Sequence, residues 1–391
     1  MKYNFDEHIN RIGTDCLKWD VIFEATGRRD LRALWVADMD FKTPPFVLKT
    51  ISERLKQEVL GYTFPFDPYY NSIINWVGRR HGVELKKEQI HFVPGIVPGL
   101  HHAVTALTDK GDKILIQTPV YHPFHQVIDI NERVKVESSL KIVDGRFEMD
   151  FDDLEQKLPG CKMMILCNPH NPGGTVWKTE ELIRLAELCK KLGVLVISDE
   201  IHADMTHPGY KHVPFCITCD AAKDNCITLM APSKAFNMPG ICTSYYYIFN
   251  NAIREKLYHF LDMADVAFGN IFAYDCLRAC YTDEGEDWLN QMIDYTVDNI
   301  KVVEDFMAQH CPKIKPMKTE ASFLVFLDCH DMPFATPAEL NAFFLDKAKI
   351  FMNEGSMFGA DGRMFMRLNT ALPRQELIEA LEAIKQAYDQ L

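Results

Sequence analysis

Three short apolar runs, each broken off by a polar turn, limit what this chain can build. Residues 163–175 read MMILCNPHNPGGT and stop in Asn-Pro, Asn-Pro and Gly-Gly. Residues 193–202 read GVLVISDEIH and end abruptly in Asp199-Glu200. Residues 227–249 read ITLMAPSKAFNMPGICTSYYYIF, with Ser233-Lys234 between two apolar stretches and a Pro-Gly break behind them. Continuous rather than alternating apolarity is the mark of strands buried on both faces, as in a parallel sheet covered by helices. Residues 179–192, between the first two runs, put Leu182, Leu185, Ala186 and Cys189 on one helical face, with Thr179 as the expected N-cap and Gly193 as the stop. Strand, helix, strand is the βαβ unit. Ligands of such sheets bind beyond the carboxyl ends of the strands, so Asn171, Asp199 and Lys234 are expected to meet there.

Those three side chains suit one chemistry. A lysine amine titrates near ~10.4 in water, and burial or a neighbouring cation lowers that value and frees the amine to attack an aldehyde. A carboxylate keeps a pyridine nitrogen protonated, and an amide donates to a ring oxygen. Lysine, carboxylate and amide donor together are what pyridoxal phosphate requires. Taken alone, Lys234 could equally be a lysine on a surface loop.

NPHNPGG, SDEIHAD and APSKAFNMPG, in this order and spacing, resemble the class I/II aminotransferase superfamily of fold-type I pyridoxal phosphate enzymes. RIGTDCLKWD, LWVADMDFKTPP, PGIVPGL and QTPVYHPF narrow the resemblance to the MalY/PatB group of cystathionine β-lyases, over residues 5–374. The resemblance implies an aspartate aminotransferase-like α/β fold. A large domain, residues 46–285, would carry a mostly parallel sheet flanked by helices; residues 286–391 with the N-terminal segment 1–45 would form a smaller α+β domain. It also implies a homodimer with active sites at the subunit interface. Lys234 and Tyr121 are then the expected catalytic residues, with Tyr121 stacked on the pyridine. Asp199 would face the ring nitrogen, with Asn171 and His202 at the ring oxygen. Gly95, Ile96, Val97 and Ser233 would hold the phosphate, joined by Tyr62 from across the dimer. Arg367, with Asn171, would take the substrate α-carboxylate. Two positions depart from the pattern: many members carry a serine three before the lysine and an arginine eight after it, both on the phosphate, where this chain has Ala231 and Cys242.

The residues support these roles unevenly. PGIVPGL, residues 94–100, opens an apolar helix, and backbone amides at a helix N-terminus bind phosphate without a cation. Tyr121 follows a strand at residues 113–119, where core packing is the alternative to stacking on a ring. Tyr62 could simply anchor its loop, and His202 could be a satisfied loop histidine. Arg367 interrupts an apolar strand at residues 363–368; its planar fork matches a carboxylate, either that of a substrate or that of a structural salt bridge. From Pro44, the residues Val47, Leu48, Ile51, Leu55 and Val59 recur at helical spacing up to Gly61. No helix of clear period precedes them. A long helix after Gly285 carries Trp288, Met292, Ile300, Val303 and Phe306, and short strands at 322–327 and 363–368 alternate with helices up to a last one at 373–388.

Composition removes several function classes. At 391 residues two lobes are expected, and a net charge of -13 disfavours a nucleic-acid partner. No run reaches the ~20 apolar residues that span a bilayer, and the charged start MKYNFDEHIN is unlike a signal peptide. A cytoplasmic protein with no membrane partner is expected. The 12 cysteines are scattered, several inside apolar segments (Cys167, Cys189, Cys242), so reduced buried thiols are expected. Cys216 and Cys219 form a C-x-x-C near His202, His207 and His212, but Cys276 and Cys280 do not repeat its spacing, and no metal is expected.

The catalytic set serves two fates of a substrate carbanion. Reprotonation on the cofactor gives transamination; loss of a thiolate from the β-carbon gives pyruvate and ammonia. Only the N-terminal third, through its resemblance to cystathionine β-lyases, favours elimination. The other readings are an aminotransferase and, since some relatives in that group also bind a transcriptional activator, an interaction protein on the same scaffold. A Ser233-Lys234 hydrolase is disfavoured because adjacent side chains on an extended segment point apart.

Overall fold

The computed structural model describes residues 2–391. The apolar runs become a seven-stranded sheet: β1 (Ile90–Val93), β2 (Lys113–Thr118), β3 (Val134–Ser139), β4 (Cys161–Cys167), β5 (Leu195–Asp199), β6 (Cys226–Met230) and β7 (Ser244–Tyr247), in the order β1-β7-β6-β5-β4-β2-β3. Strands β2 to β6 pair in parallel. β7 runs antiparallel to both β6 and β1. Two reversals restore the direction, so β1 points the same way as β6, and the carboxyl ends of six strands share one edge. Every residue of β6 is buried, as the absence of alternation in ITLM requires.

Helices α1 (Ile96–Leu107) and α2 (Thr179–Leu192) bury the faces their periods mark: Leu100, Ala103 and Val104 in α1, and Leu182, Leu185, Ala186 and Cys189 in α2. Gly193 ends α2 in the left-handed conformation, its N–H on the Cys189 carbonyl. The N-cap of α2 is Lys178, not Thr179. Glu181 reaches back to accept the Lys178 N–H at 2.9 Å, which fixes the entry one residue earlier and leaves Thr179 as the first helical residue.

The helix expected to run to Gly61 stops at Leu55. Glu58 takes a φ of 57°, and Val59 and Leu60 are exposed, because nothing in this chain packs against the continuing apolar face. The first 45 residues hold a short helix that the sequence did not suggest, Asp20–Thr26, whose Asp20 carboxylate collects the amides of Gly13, Thr14 and Cys16.

A second, antiparallel sheet follows: β8 (Lys315–Pro316), β9 (Leu324–Asp328), β10 (Asn353–Glu354) and β11 (Phe365–Asn369), in the order β8-β9-β11-β10. Helix α3 (Asp283–His310) begins earlier than the sequence suggested because the Thr282 hydroxyl caps the Gly285 N–H at 3.0 Å. Its first half, with Trp288, Leu289 and Met292, packs into the core shared with the main sheet. Its second half, with Ile300, Val303 and Met307, enters the core of the second sheet, which α4 (Arg374–Tyr388) covers. No helix among the described residues is long and apolar enough to cross a membrane. Cys242 is exposed at a φ of 52°, not buried as its neighbours suggested, because it ends the turn after Pro239 instead of entering β7.

Candidate active site

Beyond the carboxyl edge of the main sheet lies a cavity of about 980 Å³, walled by Trp35, Ala37, Tyr121, Lys234, Asn353 and Arg367 among others. Lys234 stands four residues past the end of β6, on a loop closed by the Met238 N–H on the Ser233 carbonyl. Its amine donates to the Ala37 carbonyl at 2.7 Å. Burial lowers its pKa to about 8, against the opposing pull of Asp38 and with help from Arg367. A fraction of the amine is therefore unprotonated near neutrality, which a surface lysine lacks.

Arg367, in the middle of β11, is 3% exposed. Its guanidinium donates to Asn171 Oδ1 at 3.1 Å, to the Trp35 carbonyl at 2.9 Å and to Asn353 Oδ1 at 2.5 Å, and it lies over the Phe358 ring. None of these acceptors is charged, and its Nε has no hydrogen-bond partner. Among the described residues no carboxylate pairs with it, so the structural salt bridge does not form. Burial without a counter-ion brings its pKa down to about 10. A buried cation held by neutral acceptors keeps its charge available to pair with a carboxylate. With its Oδ1 taken by Arg367, Asn171 has its amide nitrogen left to donate.

Asp199 is the last residue of β5, is 2% exposed, and among the described residues its carboxylate accepts only the Ile201 N–H, at 3.1 Å. Burial raises its pKa to about 7, with Glu200 adding to the rise and Lys234 opposing it. His202, 4% exposed, has an Nδ1 without a partner; burial first, then the charges of Lys234 and Arg367, holds it neutral with a pKa of about 3. Tyr121 donates its N–H to the Asn171 carbonyl at 3.0 Å, and its hydroxyl rises to about 12 through burial and the Asp199 charge. These mutual shifts place Asp199, Lys234, His202, Tyr121 and Arg367 within electrostatic reach of one another, with Asn171 hydrogen-bonded to the last. The structure brings these six together.

The remaining expected residues do not line the cavity. β1 places Val93 opposite Ser244, and Met230 lies opposite Tyr245, so Gly95 sits at the level of residues 231–233, two strands from β6. Gly95 has a φ of 122°, which leaves the Ile96 and Val97 amides at the start of α1 with no side-chain cap. Ser233 is buried beside Lys234. Tyr62 is not brought in. It is fully exposed, on a separate groove with Phe64, Phe66 and Phe268. No group of three or more His, Cys, Asp or Glu among the described residues is arranged to hold a metal; the ring nitrogens of His207 face the Thr319 and Ser322 carbonyls, of which a neutral ring donates to one, and His212 is bound to Glu200.

The model of the family described as aminotransferase class I and II matches residues 32–384. The chain belongs to that family. Cystathionine β-lyase PatB of Bacillus subtilis is 39% identical over 386 residues, covering 98% of this chain and 99% of that protein. Among solved structures, cystalysin from Treponema denticola, which contains a pyridoxal 5′-phosphate cofactor, superposes with a TM-score of 0.96 at 34% identity, all of both chains being covered. The pyridoxal phosphate-bound C–S lyase of Staphylococcus hominis does so with a TM-score of 0.91 at 34% identity, over 99% of this chain and 98% of that one.

The sequence did not reveal how far the N-terminal segment enters the site of this family member. Arg11, Trp35, Asp38 and Asp40 line the cavity. Lys18, fully buried, donates to Asp40 Oδ2 at 2.6 Å, and Arg11 bridges Asp38 and Asp40. The only signal was the density of charge in RIGTDCLKWD and ADMD.

Proposed function

We propose that this protein is a pyridoxal phosphate-dependent carbon–sulfur β-lyase, cleaving cystathionine or cysteine-like substrates to pyruvate, ammonia and a thiol. The observation that carries the reading is the end-to-end similarity to PatB at 39% identity. Three features of the chain fit the cofactor. Asp199 is a buried carboxyl short of a cation, His202 has an unpartnered ring nitrogen, and α1 opens with free amides behind Gly95.

When bound, pyridoxal phosphate supplies an aldehyde for amine capture and an electron sink beside the substrate α-carbon. In this reading Asp199 holds the pyridine nitrogen protonated, Tyr121 lies against the ring, and Asn171 with His202 donates toward its oxygen. The Ile96 and Val97 amides, Gly95 and Ser233 bind the phosphate. Arg367 orients the amino acid by its α-carboxylate, which points the α-hydrogen at Lys234. The Lys234 amine would remove that proton; the C–H electron pair would become the Cα=Cβ bond as the Cβ–S pair leaves on sulfur as thiolate, and one water would then convert the released enamine to pyruvate and ammonia.

The partition into residues 46–285, and 286–391 with 1–45, belongs to this reading, supported by a core on one face of each sheet that the other sheet does not enter, although a third core is shared between them. So does a homodimer in which Tyr62 serves the other subunit's phosphate; the exposed Val59, Leu60, Phe64 and Phe66 beside it support a covered surface there. A reducing, cytoplasmic setting accords with twelve unpaired cysteines.

Purified protein given L-cystathionine and no keto acid is expected to release pyruvate and a thiol. Turnover that requires an added keto acid, with no thiol released, would make it an aminotransferase instead.

A further inference from the structure

Residues 35–41 form a strap over the cavity that belongs to no sheet, and its backbone is held mostly by side chains, with one backbone bond from the Asp40 N–H to the Ala371 carbonyl. Arg367 donates to the Trp35 carbonyl. Asn369 Nδ2 donates to the carbonyls of Val36 and Asp38 at 2.6 and 2.7 Å. Lys234 donates to Ala37. The far end is held by three residues: Asn237, whose Oδ1 accepts the Met39 N–H at 2.9 Å and whose Nδ2 donates to the Met39 and Phe41 carbonyls at 3.1 and 2.8 Å; Arg11, which donates to the Met39 carbonyl at 3.2 Å; and Ala371, whose carbonyl accepts the Asp40 N–H at 2.9 Å. Thr43 Oγ1 binds the Asn237 carbonyl in return, at 3.1 Å. Asn237 is three residues beyond Lys234 and has a φ of 47°, a conformation asparagine tolerates better than most side chains. That turn aims its amide at the strap.

We infer that Asn237 is a positioning residue for Lys234, acting through the strap: it fixes residues 39–41 so that the Ala37 carbonyl stands where the Lys234 amine needs an acceptor. The role follows from the order of bonds. A lysine that takes a substrate proton becomes an ammonium with a third N–H to satisfy in a buried site, and Ala37 is the backbone oxygen already within 2.7 Å. Two clamps bracket that oxygen, Asn369 on either side of it and Asn237 beyond. Asn369 is bound to the second sheet, and Arg11 and Ala371 also lie off the Lys234 loop, so among the described residues Asn237 is the tie, apart from the Lys234 amine itself, between the strap and the element that carries the lysine. The inference rests on Lys234 being the proton acceptor proposed above.

The test uses Asn237→Gly, which keeps the left-handed backbone and removes the amide, and Asn237→Asp, which keeps the acceptor for Met39 N–H and loses both donors. In the holoenzyme, Asn237→Gly is expected to lower kcat about 10- to 100-fold with KM changed less than about 3-fold, because a displaced base slows proton transfer and leaves carboxylate binding to Arg367. Cofactor absorbance stays at parental occupancy. Amide exchange of residues 35–41 rises about tenfold while that of β4 to β6 does not change. Asn237→Asp falls between Gly and the parent in both readouts. Coupling is reciprocal, so Lys234→Ala, which needs no turnover to be read, also speeds strap exchange. Parental kcat with a loosened strap overturns the inference, as does a lowered kcat with unchanged strap exchange, or a strap indifferent to Lys234→Ala. Absence of turnover in the parent enzyme would instead strike at the lyase reading and leave the exchange result standing.

Discussion

Replacing Asp199 by asparagine should stabilise the protein when the cofactor is stripped and weaken its hold on the cofactor, two effects of opposite sign from one atom change. The carboxyl is 2% exposed and has a single hydrogen-bond donor, Ile201 N–H. Burial lifts its pKa from 3.8 to about 7. A folded-state value above the unfolded one means stability is fully present below about pH 4 and is lost as pH rises through about 7. About three units at ~1.36 kcal/mol each put the cost of the ionised form at roughly 4 kcal/mol near pH 8 and roughly 2 kcal/mol near pH 5. Asparagine keeps the acceptor for Ile201 and carries no charge, so the variant should gain most of that difference, more at the higher pH. Denaturant unfolding of cofactor-free parent and variant at the two pH values measures it. With cofactor the sign reverses, since asparagine cannot hold the pyridine nitrogen protonated, and spectroscopic titration should show weaker binding. A variant that is less stable without cofactor near pH 8, or a gain that does not grow with pH, would refute the placement of an unpaired carboxyl at this point.

Other outcomes follow from the same geometry. Arg367→Lys keeps the charge and loses the fork, so KM for the amino acid should rise about 10- to 100-fold with a smaller change in kcat; an unchanged KM removes Arg367 from carboxylate binding. Tyr62→Phe should weaken cofactor retention about 5- to 10-fold through one lost phosphate hydrogen bond, and unchanged affinity would count against that role. Because the Lys234 amine titrates near pH 8, recombination of stripped protein with cofactor should speed up as pH rises toward about 8 and level off above it; a rate independent of pH over that range contradicts an amine tuned by burial.

The elements that carry chemistry were legible where local physics and tertiary context agree. β4, β5 and β6 are mostly apolar and, apart from exposed Lys162 and half-buried Leu195 near the starts of β4 and β5, buried because both faces are covered, and their polar ends mark the edge where Asn171, Asp199 and Lys234 meet. Arg367 stood out as one charge in MFMRLN and lies where that anomaly suggested. The strap did not stand out. Its partners are backbone carbonyls, which leave no mark in composition, and Asn237 and Asn369 lie 198 and 333 positions from the residues they hold. Element ends were missed for a related reason: Glu181 moved the start of α2, and an exposed apolar face let the helix at Pro45 stop at Leu55. Tyr62, expected at the phosphate, is exposed and lines a separate groove.

The account depends on Lys234 being the amine that captures the cofactor aldehyde in the cavity it shares with Tyr121 and Arg367. Borohydride reduction of the holoenzyme followed by peptide mass mapping reads this directly: one pyridoxyl phosphate adduct per chain, on Lys234, is expected. An adduct on another lysine, or none while the visible absorbance persists, would contradict it.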